Sequence, residues 1–211
     1  MRVELEILLP GEIEGRSFEI IERELLHPLD SELAPVIKRV IHTTADFDYA
    51  ETLCFSKTAL AAGRDALQAG ELIVTDTNMA RAGINKGALA QLGTEVLCFM
   101  ADEDVAAAAM ERNTTRGAAS MDKAALISGR PILAIGNAPT ALIRLYELIG
   151  EGRITPSLII GVPVGFVNVV QAKELIMETD VPYIVARGRK GGSNVAAAIV
   201  NALMYQLTRP Q

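Results

Sequence analysis

The sequence predicts an α/β fold: a doubly wound, mostly parallel sheet with helices on both faces and an N-terminal helical addition. From about residue 55, short β-branched runs alternate with Ala- and Leu-rich helical patterns. The runs are apolar throughout, which is typical of strands that are covered on both faces. Alternation of strands and helices at this spacing gives right-handed βαβ units and therefore a parallel sheet.

Five apolar runs are the predicted strands, and they cover residues 72–75, 95–99, 132–135, 158–162 and 183–186. Helical patterns lie around and between them, near residues 56–69, 80–92, 102–110, 120–128, 140–150, 168–178 and 194–207. No linker rich in Pro, Ser or charge divides the chain, and no internal repeat is visible. Residues 1–211 are therefore expected to form a single domain.

The first fifty residues do not follow this alternation and are predicted to be an addition to the sheet core (residues 1–50). Ser17 is predicted to cap a helix over residues 18–26, and Pro28 is predicted to end it. A second short helix is predicted to begin at Pro35. An addition of this kind often builds the wall of a site or a contact between subunits.

Composition and charge exclude several classes of function. Aromatic residues make up only 4% of the 211 residues, and the formal net charge is -6, which disfavours binding to nucleic acid or to anionic membranes. The N-terminus does not resemble a signal peptide, and the most apolar stretch, residues 157–172, contains Pro163 and is too short to span a membrane. A cytoplasmic protein is expected. The two cysteines fit no metal or redox spacing.

The clearest candidate site is the glycine-rich basic turn that follows the last predicted strand. It carries Arg187, Arg189 and Lys190 and three glycines directly before a long helix. Glycines let backbone N–H groups converge, and a helix N-terminus adds partial positive charge, so the pattern indicates an anion site. A flexible, solvated turn is the alternative. A nucleotide site is disfavoured because the spacing matches neither phosphate-binding fingerprint.

Other polar residues are ambiguous when taken alone. His42 could exchange protons near neutral pH, and Arg39 would share its face if the segment is helical. Arg116 lies in a polar interruption between two helical patterns and could clamp a carboxylate. A structural histidine and a solvated arginine are the alternatives. Asp46 and Asp76 are possible acids, but their spacing does not match that of paired catalytic carboxylates.

Taken together, the motifs resemble those of the precorrin-8X methylmutase family. Each motif is weak alone, whereas the ordered set covers nearly the whole chain in the family's order. The matching stretches are residues 39–46 (RVIHTTAD), 76–80 (DTNMA), 115–116 (TR), 136–142 (GNAPTAL), 161–167 (GVPVGFV) and 187–193 (RGRKGGS).

The resemblance implies an isomerase that moves a methyl group from C11 to C12 of precorrin-8X or cobalt-precorrin-8, giving hydrogenobyrinic acid or cobyrinic acid. Such a 1,5-sigmatropic shift needs no methyl donor, cofactor or protein-bound metal. The family's proposed catalyst corresponds to His42, which would protonate the macrocycle.

The resemblance also implies a substrate-binding set and an assembly. The substrate is a polycarboxylate, so its acidic rim would pair with local cations in this acidic chain. The expected binding residues are Ser17, Arg39, Thr77, Arg116, Arg187, Arg189 and Lys190, with Ser17 named by family analogy and Thr77 by its place after a strand. A homodimer with its sites at or near the subunit interface is expected. A corrinoid carrier without turnover is the alternative function.

Overall fold

The computed structural model describes residues 6–209, in which six strands form one sheet surrounded by helices. The strands are β1 (Leu53–Phe55), β2 (Ile73–Thr75), β3 (Val96–Leu97), β4 (Ile132–Ile135), β5 (Leu158–Gly161) and β6 (Tyr183–Ala186). The helices are α1 (Ile13–Glu24), α2 (Ala34–Thr44), α3 (Tyr49–Thr52), α4 (Ala59–Gln68), α5 (Asn78–Gly83), α6 (Lys86–Leu92), α7 (Glu103–Glu111), α8 (Arg116–Ala124), α9 (Pro139–Gly150), α10 (Val169–Met177) and α11 (Ser193–Thr208).

The strand order is β1-β6-β5-β4-β2-β3, and the pairings from β6 to β3 are all parallel. The chain runs from β2 outward to β3 and then returns past β2 to β4. This reversal makes the gap between the carboxyl ends of β2 and β4 the topological switch point, where ligands of such sheets bind. The predicted doubly wound, mostly parallel sheet is confirmed.

The sheet is covered on both faces, as its apolar strands require. In β4, Ile132 and Ala134 belong to the core layer that contains α2, α4 and α11. Leu133 and Ile135 point to the opposite layer, which contains α8, α9 and α10. Successive side chains of a strand alternate between faces, so every residue of β4 is buried.

Two elements were not predicted, and one predicted helix is divided. The edge strand β1 pairs antiparallel with β6, with Leu53 opposite Ala186, and the short helix α3 precedes it. The single helix predicted over residues 80–92 is wrong, because α5 ends at Gly83. Asn85 then caps α6 by accepting a hydrogen bond from the Ala88 N–H at 2.9 Å.

The N-terminal addition is helical, as predicted, but the predicted cap at Ser17 is wrong. Ser17 lies inside α1, and its hydroxyl donates to the Ile13 carbonyl at 2.8 Å. The helix begins earlier than predicted and ends at Glu24, before Pro28. Its neighbour α2 packs against both α1 and α11, which places the addition on one face of the sheet. No helix among residues 6–209 has the length and hydropathy of a membrane span.

Candidate functional site

The loops after β2 and β4 meet at the switch point, and one buried carboxylate joins them. Asp76 is fully buried. Its oxygens accept hydrogen bonds from the backbone N–H groups of Gly136, Asn137 and Ala138 at 2.9, 2.8 and 2.7 Å. Burial raises the pKa of Asp76, while these three bonds act in the opposite direction. Asp76 thus fixes the loop that leads into α9.

The loops after β5 and β6 are joined to each other by their backbones. The Gly192 N–H donates to the Val162 carbonyl at 2.9 Å, and the Gly165 N–H donates to the Arg189 carbonyl at 3.2 Å. Gly191 has a φ of 156°, and a Cβ there would collide with the Val162 carbonyl. This contact therefore requires glycine at position 191.

Two further contacts connect this pair of loops to the Asp76 loops. The hydroxyl groups of Thr77 and Ser193 are 2.7 Å apart, and Thr77 also caps α5 by accepting from the Ala80 N–H. A Cβ on Gly136 would lie 2.7 Å from the Gly192 carbonyl oxygen, so the two backbones touch. All four loops at the carboxyl edge of β2, β4, β5 and β6 therefore form one connected surface.

The basic turn lies on this surface with its cations exposed. Arg187, Arg189 and Lys190 all point to solvent, and the Lys190 ammonium is 2.6 Å from a carboxylate oxygen of both Asp46 and Asp48. These bonds raise the pKa of Lys190 and lower that of Asp46. Gly192 occupies the N-cap position of α11 without a side-chain cap, and the Ser193 hydroxyl at the start of the helix bonds to Thr77.

Arg116 lies beside the loop that follows β4. It is exposed and is the first residue of α8, whose N-cap is Thr115. The Thr115 hydroxyl is 2.7 Å from that of Thr140, which ties the start of α8 to the start of α9. The helix was predicted to begin near residue 120, which would have left Arg116 in a polar linker. The observed helix begins at Arg116, so this side chain lies at a helix N-terminus.

Exposed apolar side chains accompany these cations. Phe166 is 82% exposed and Val167 is 78% exposed, both in the loop after β5, and Met79 follows β2 with 72% exposed. The Arg189 guanidinium lies 5.5 Å from the centroid of the Phe166 ring, within cation–π range. Exposed apolar side chains beside cations are typical of a ligand or subunit contact.

A buried lysine supports the basic turn from below. Lys173, on α10, is 1% exposed, and its ammonium donates to the carbonyls of Gly188 and Lys190 at 2.8 Å each. Burial lowers the pKa of Lys173 to about 8. Lys173 was not among the residues predicted from the sequence, although its spacing from the buried Val169, Ala172 and Ile176 places it on the apolar face of the helix.

His42, Arg39 and Ser17 form a second group, on α1 and α2. The exposed ring of His42 lies edge-on to Phe18 with 5.5 Å between centroids. Arg39 contacts the same phenyl ring at 4.9 Å and forms an ion pair with Glu14. This pair and a second one from Arg209 lower the pKa of Glu14 to about 2. Arg39 and His42 therefore share a face of α2, and the Arg39 guanidinium has an internal partner.

The C-terminal end of α2, which carries His42, lies near the basic turn, whereas Arg39 on the same helix lies away from it. Asp46 and Asp48 follow α2 and hold Lys190, so the His42 end of α2 approaches the basic turn. Arg39 instead contacts Tyr205, which lies twelve residues into α11, or roughly 18 Å along the helix from its N-terminus. Within one chain, Arg39 is thus directed away from the loops that carry Thr77, Arg116 and the basic turn.

The site offers cations, hydroxyl groups, an apolar surface and one imidazole. Across the described part of the chain, no group of three or more His, Cys, Asp and Glu side chains is placed to hold a metal ion. The chemistry available from these side chains is recognition of a polycarboxylate and proton transfer by an imidazole.

Comparison with known proteins identifies the family. The CbiC family model, described as precorrin-8X methylmutase, matches residues 12–206. The chain belongs to the precorrin-8X methylmutase family. Membership makes the protein an isomerase, a methylmutase of cobalamin biosynthesis that moves a methyl group within one molecule.

Relatives and a solved structure agree with this assignment. The chain is 46% identical to the cobalt-precorrin-8 methylmutase of Salmonella typhimurium over 94% of this chain and 96% of the relative. It is 40% identical to the precorrin-8X methylmutase of Pseudomonas aeruginosa over 89% and 91% of the two chains. The crystal structure of the precorrin-8X methylmutase from Thermus thermophilus superposes with a TM-score of 0.83 at 42% identity, covering 92% of this chain and 96% of that one.

Proposed function

We propose that this methylmutase moves the methyl group on C11 of precorrin-8X, or of cobalt-precorrin-8, to C12. The observation that carries the proposal is the connected surface at the carboxyl edge of the sheet, which bears exposed cations and exposed apolar side chains, with Arg189 against Phe166. A corrinoid macrocycle has an apolar ring and an acidic rim, so its chemistry matches that surface. One relative is named for cobalt-precorrin-8 and another for precorrin-8X, and these names support either compound as the substrate.

The substrate carboxylates would pair with the cations of this surface. Arg187 and Arg189 are exposed on the turn after β6, and Arg116 is exposed at the start of α8. A guanidinium binds a carboxylate through two parallel hydrogen bonds. Lys190 would have to exchange Asp46 and Asp48 for the substrate, and Thr77 would add a hydroxyl group.

Ser17 and Arg39 would complete the binding set from the N-terminal addition. In one chain, Arg39 is paired with Glu14 and lies toward the far end of α11. A homodimer would let the N-terminal addition of one subunit approach the carboxyl-edge loops of the other. Sedimentation equilibrium tests this part of the proposal, because a monomer that turns over substrate would contradict it.

His42 would act as the general acid of a 1,5-sigmatropic shift. Its imidazole would protonate a ring nitrogen and withdraw electron density from the π-system. The bond from C11 to the methyl carbon breaks as the bond from C12 forms, the double bonds move, and the proton returns to His42. No group leaves and no electrons are gained or lost, so the product has the mass of the substrate.

The experiment is an anaerobic absorbance time course of the purified protein with each of the two substrates. Conversion to the spectrum of hydrogenobyrinic acid or cobyrinic acid supports the proposal, and the faster substrate identifies the natural form. His42→Ala is expected to lower the turnover rate by a factor of about 10²–10⁴, the usual contribution of a positioned acid.

The second histidine provides a matched control. His27 is exposed after α1, so His27→Ala should turn over at the wild-type rate. Full turnover by His42→Ala would refute the role of His42 while leaving family membership intact. Tight binding of the corrinoid by the wild-type protein without conversion would favour the carrier function instead.

A further inference from the structure

Lys173 combines two properties that a surface lysine lacks. Its ammonium is inside the protein, and it is bonded to two backbone carbonyls of one short turn, those of Gly188 and Lys190. Only burial changes its pKa, because no carboxylate in residues 6–209 acts on it. A buried cation without a counterion costs free energy, so its presence here requires a reason.

The position of the turn suggests that reason. Residues 187–190 carry three exposed cations, Arg187, Arg189 and Lys190, whose proposed ligands are carboxylates. Carbonyl oxygens on the same face would repel those carboxylates. Lys173 turns the carbonyls of Gly188 and Lys190 toward α10, inside the protein, and so leaves cations on the outer face.

The charge of Lys173 adds to this effect. With a pKa of about 8, the side chain is mostly protonated at neutral pH. Its positive charge lies directly beneath the turn in a medium where charges are poorly screened. A bound carboxylate would therefore interact with this ammonium as well as with the exposed cations.

We propose that Lys173 is a positioning residue for carboxylate recognition, which orients the 187–190 turn and adds a buried positive charge beneath it. This inference rests on the proposed corrinoid function. Lys173 does not touch the reacting carbons, so its loss should weaken substrate binding and leave the methyl shift itself intact.

The test compares KM and kcat of two variants in the corrinoid assay. Lys173→Met keeps the length of the side chain and removes both charge and donors, and its KM should rise about tenfold or more, since one charge-assisted interaction is worth roughly that factor. Lys173→Gln keeps a neutral donor, so its KM should lie between that of the wild type and that of Lys173→Met. In both variants, kcat should stay within about threefold of the wild type.

Lys57→Met is the matched control, because Lys57 is exposed in the loop before α4, and it should leave both constants unchanged. A folded Lys173→Met with the wild-type KM would overturn the inference, as would a fall in kcat at constant KM. Failure of both Lys173 variants to fold would assign the residue a structural role and would also overturn it. Absence of both binding and turnover in the wild-type protein would instead refute the proposed function.

Discussion

Removing the Asp76 carboxylate should destabilise the protein more than any other single carboxylate change at the sheet edge. Asp76→Ala leaves the backbone N–H groups of Gly136, Asn137 and Ala138 without an acceptor, and those of Gly136 and Ala138 lie in buried bonds. Each orphaned group costs about 1–3 kcal/mol. Removing a charge that burial disfavours offsets part of this cost, so we expect the free energy of unfolding to fall by about 3–5 kcal/mol.

Asp76→Asn removes the negative charge of the side chain but keeps its shape and one of its acceptor oxygens. The amide oxygen can take the place of Oδ2 and keep the bonds to Asn137 and Ala138, while the amide nitrogen then opposes the Gly136 N–H. One bond is lost, so the expected decrease is about 1–3 kcal/mol.

The assay for both variants is equilibrium unfolding in urea, followed by circular dichroism at neutral pH. Asp65→Ala, at an exposed position on α4, is the control and should change stability by less than about 0.5 kcal/mol. A decrease for Asp76→Ala of less than about 1 kcal/mol would refute the role of this carboxylate in holding the loop.

Two other predictions concern an ion pair and a glycine. Arg39, together with Arg209, lowers the pKa of Glu14 to about 2. These ion pairs therefore contribute stability that is complete above the unfolded-state pKa of 4.5 and is lost as the pH falls toward 2. Because Glu14 is one-third exposed, Glu14→Gln should lower the free energy of unfolding at neutral pH by only about 1–2 kcal/mol. It should also flatten the acid limb of a stability-versus-pH curve, and an unchanged acid limb would contradict the assignment. Gly191→Ala should cost about 2–4 kcal/mol from the positive φ and the collision with Val162, measured by urea unfolding. Gly11→Ala, where a Cβ meets no neighbouring atom, is its control, and equal effects of the two changes would count against the backbone contact.

The central strands could be predicted from the sequence because a strand that is buried on both faces is a continuous run of apolar residues. Runs such as Ile132–Ile135 are apolar at every position, and the observed β4 and β6 have the predicted bounds. The edge strand β1 could not be found this way. It has three residues, and its pairing with β6 depends on a segment that lies about 130 residues later in the chain. The break between α5 and α6 was missed because Asn85 acts as a cap only once the chain has turned there.

The exposed part of the site was easier to predict than the groups that support it. Arg187, Arg189 and Lys190 stand together in a glycine-rich turn after a strand, and this local pattern indicates an anion site. Asp76 was recognised only as a possible acid, because its hydrogen-bond partners lie 60–62 residues away. The sequence did contain one sign of Lys173 that was overlooked, because a charged residue stands there at an apolar position of the helical pattern.

Family membership accounted for what local patterns left open. His42, exposed and beside Phe18, has no geometric feature in the free protein that distinguishes a general acid from a structural histidine. Its proposed role depends on where a bound macrocycle lies, and that position is set by contacts to several loops together. The variant at position 42 therefore tests a different claim from those at positions 76 and 173.

The proposed shift from C11 to C12 is tested by following the migrating methyl group itself. Substrate carrying carbon-13 in the C11 methyl group is converted anaerobically, and the product is examined by carbon NMR and mass spectrometry. For an intramolecular methyl shift, we expect the label to appear wholly in a methyl group on C12, with the mass unchanged. Label that remains on C11, leaves the macrocycle or is diluted by an unlabelled methyl donor would contradict it.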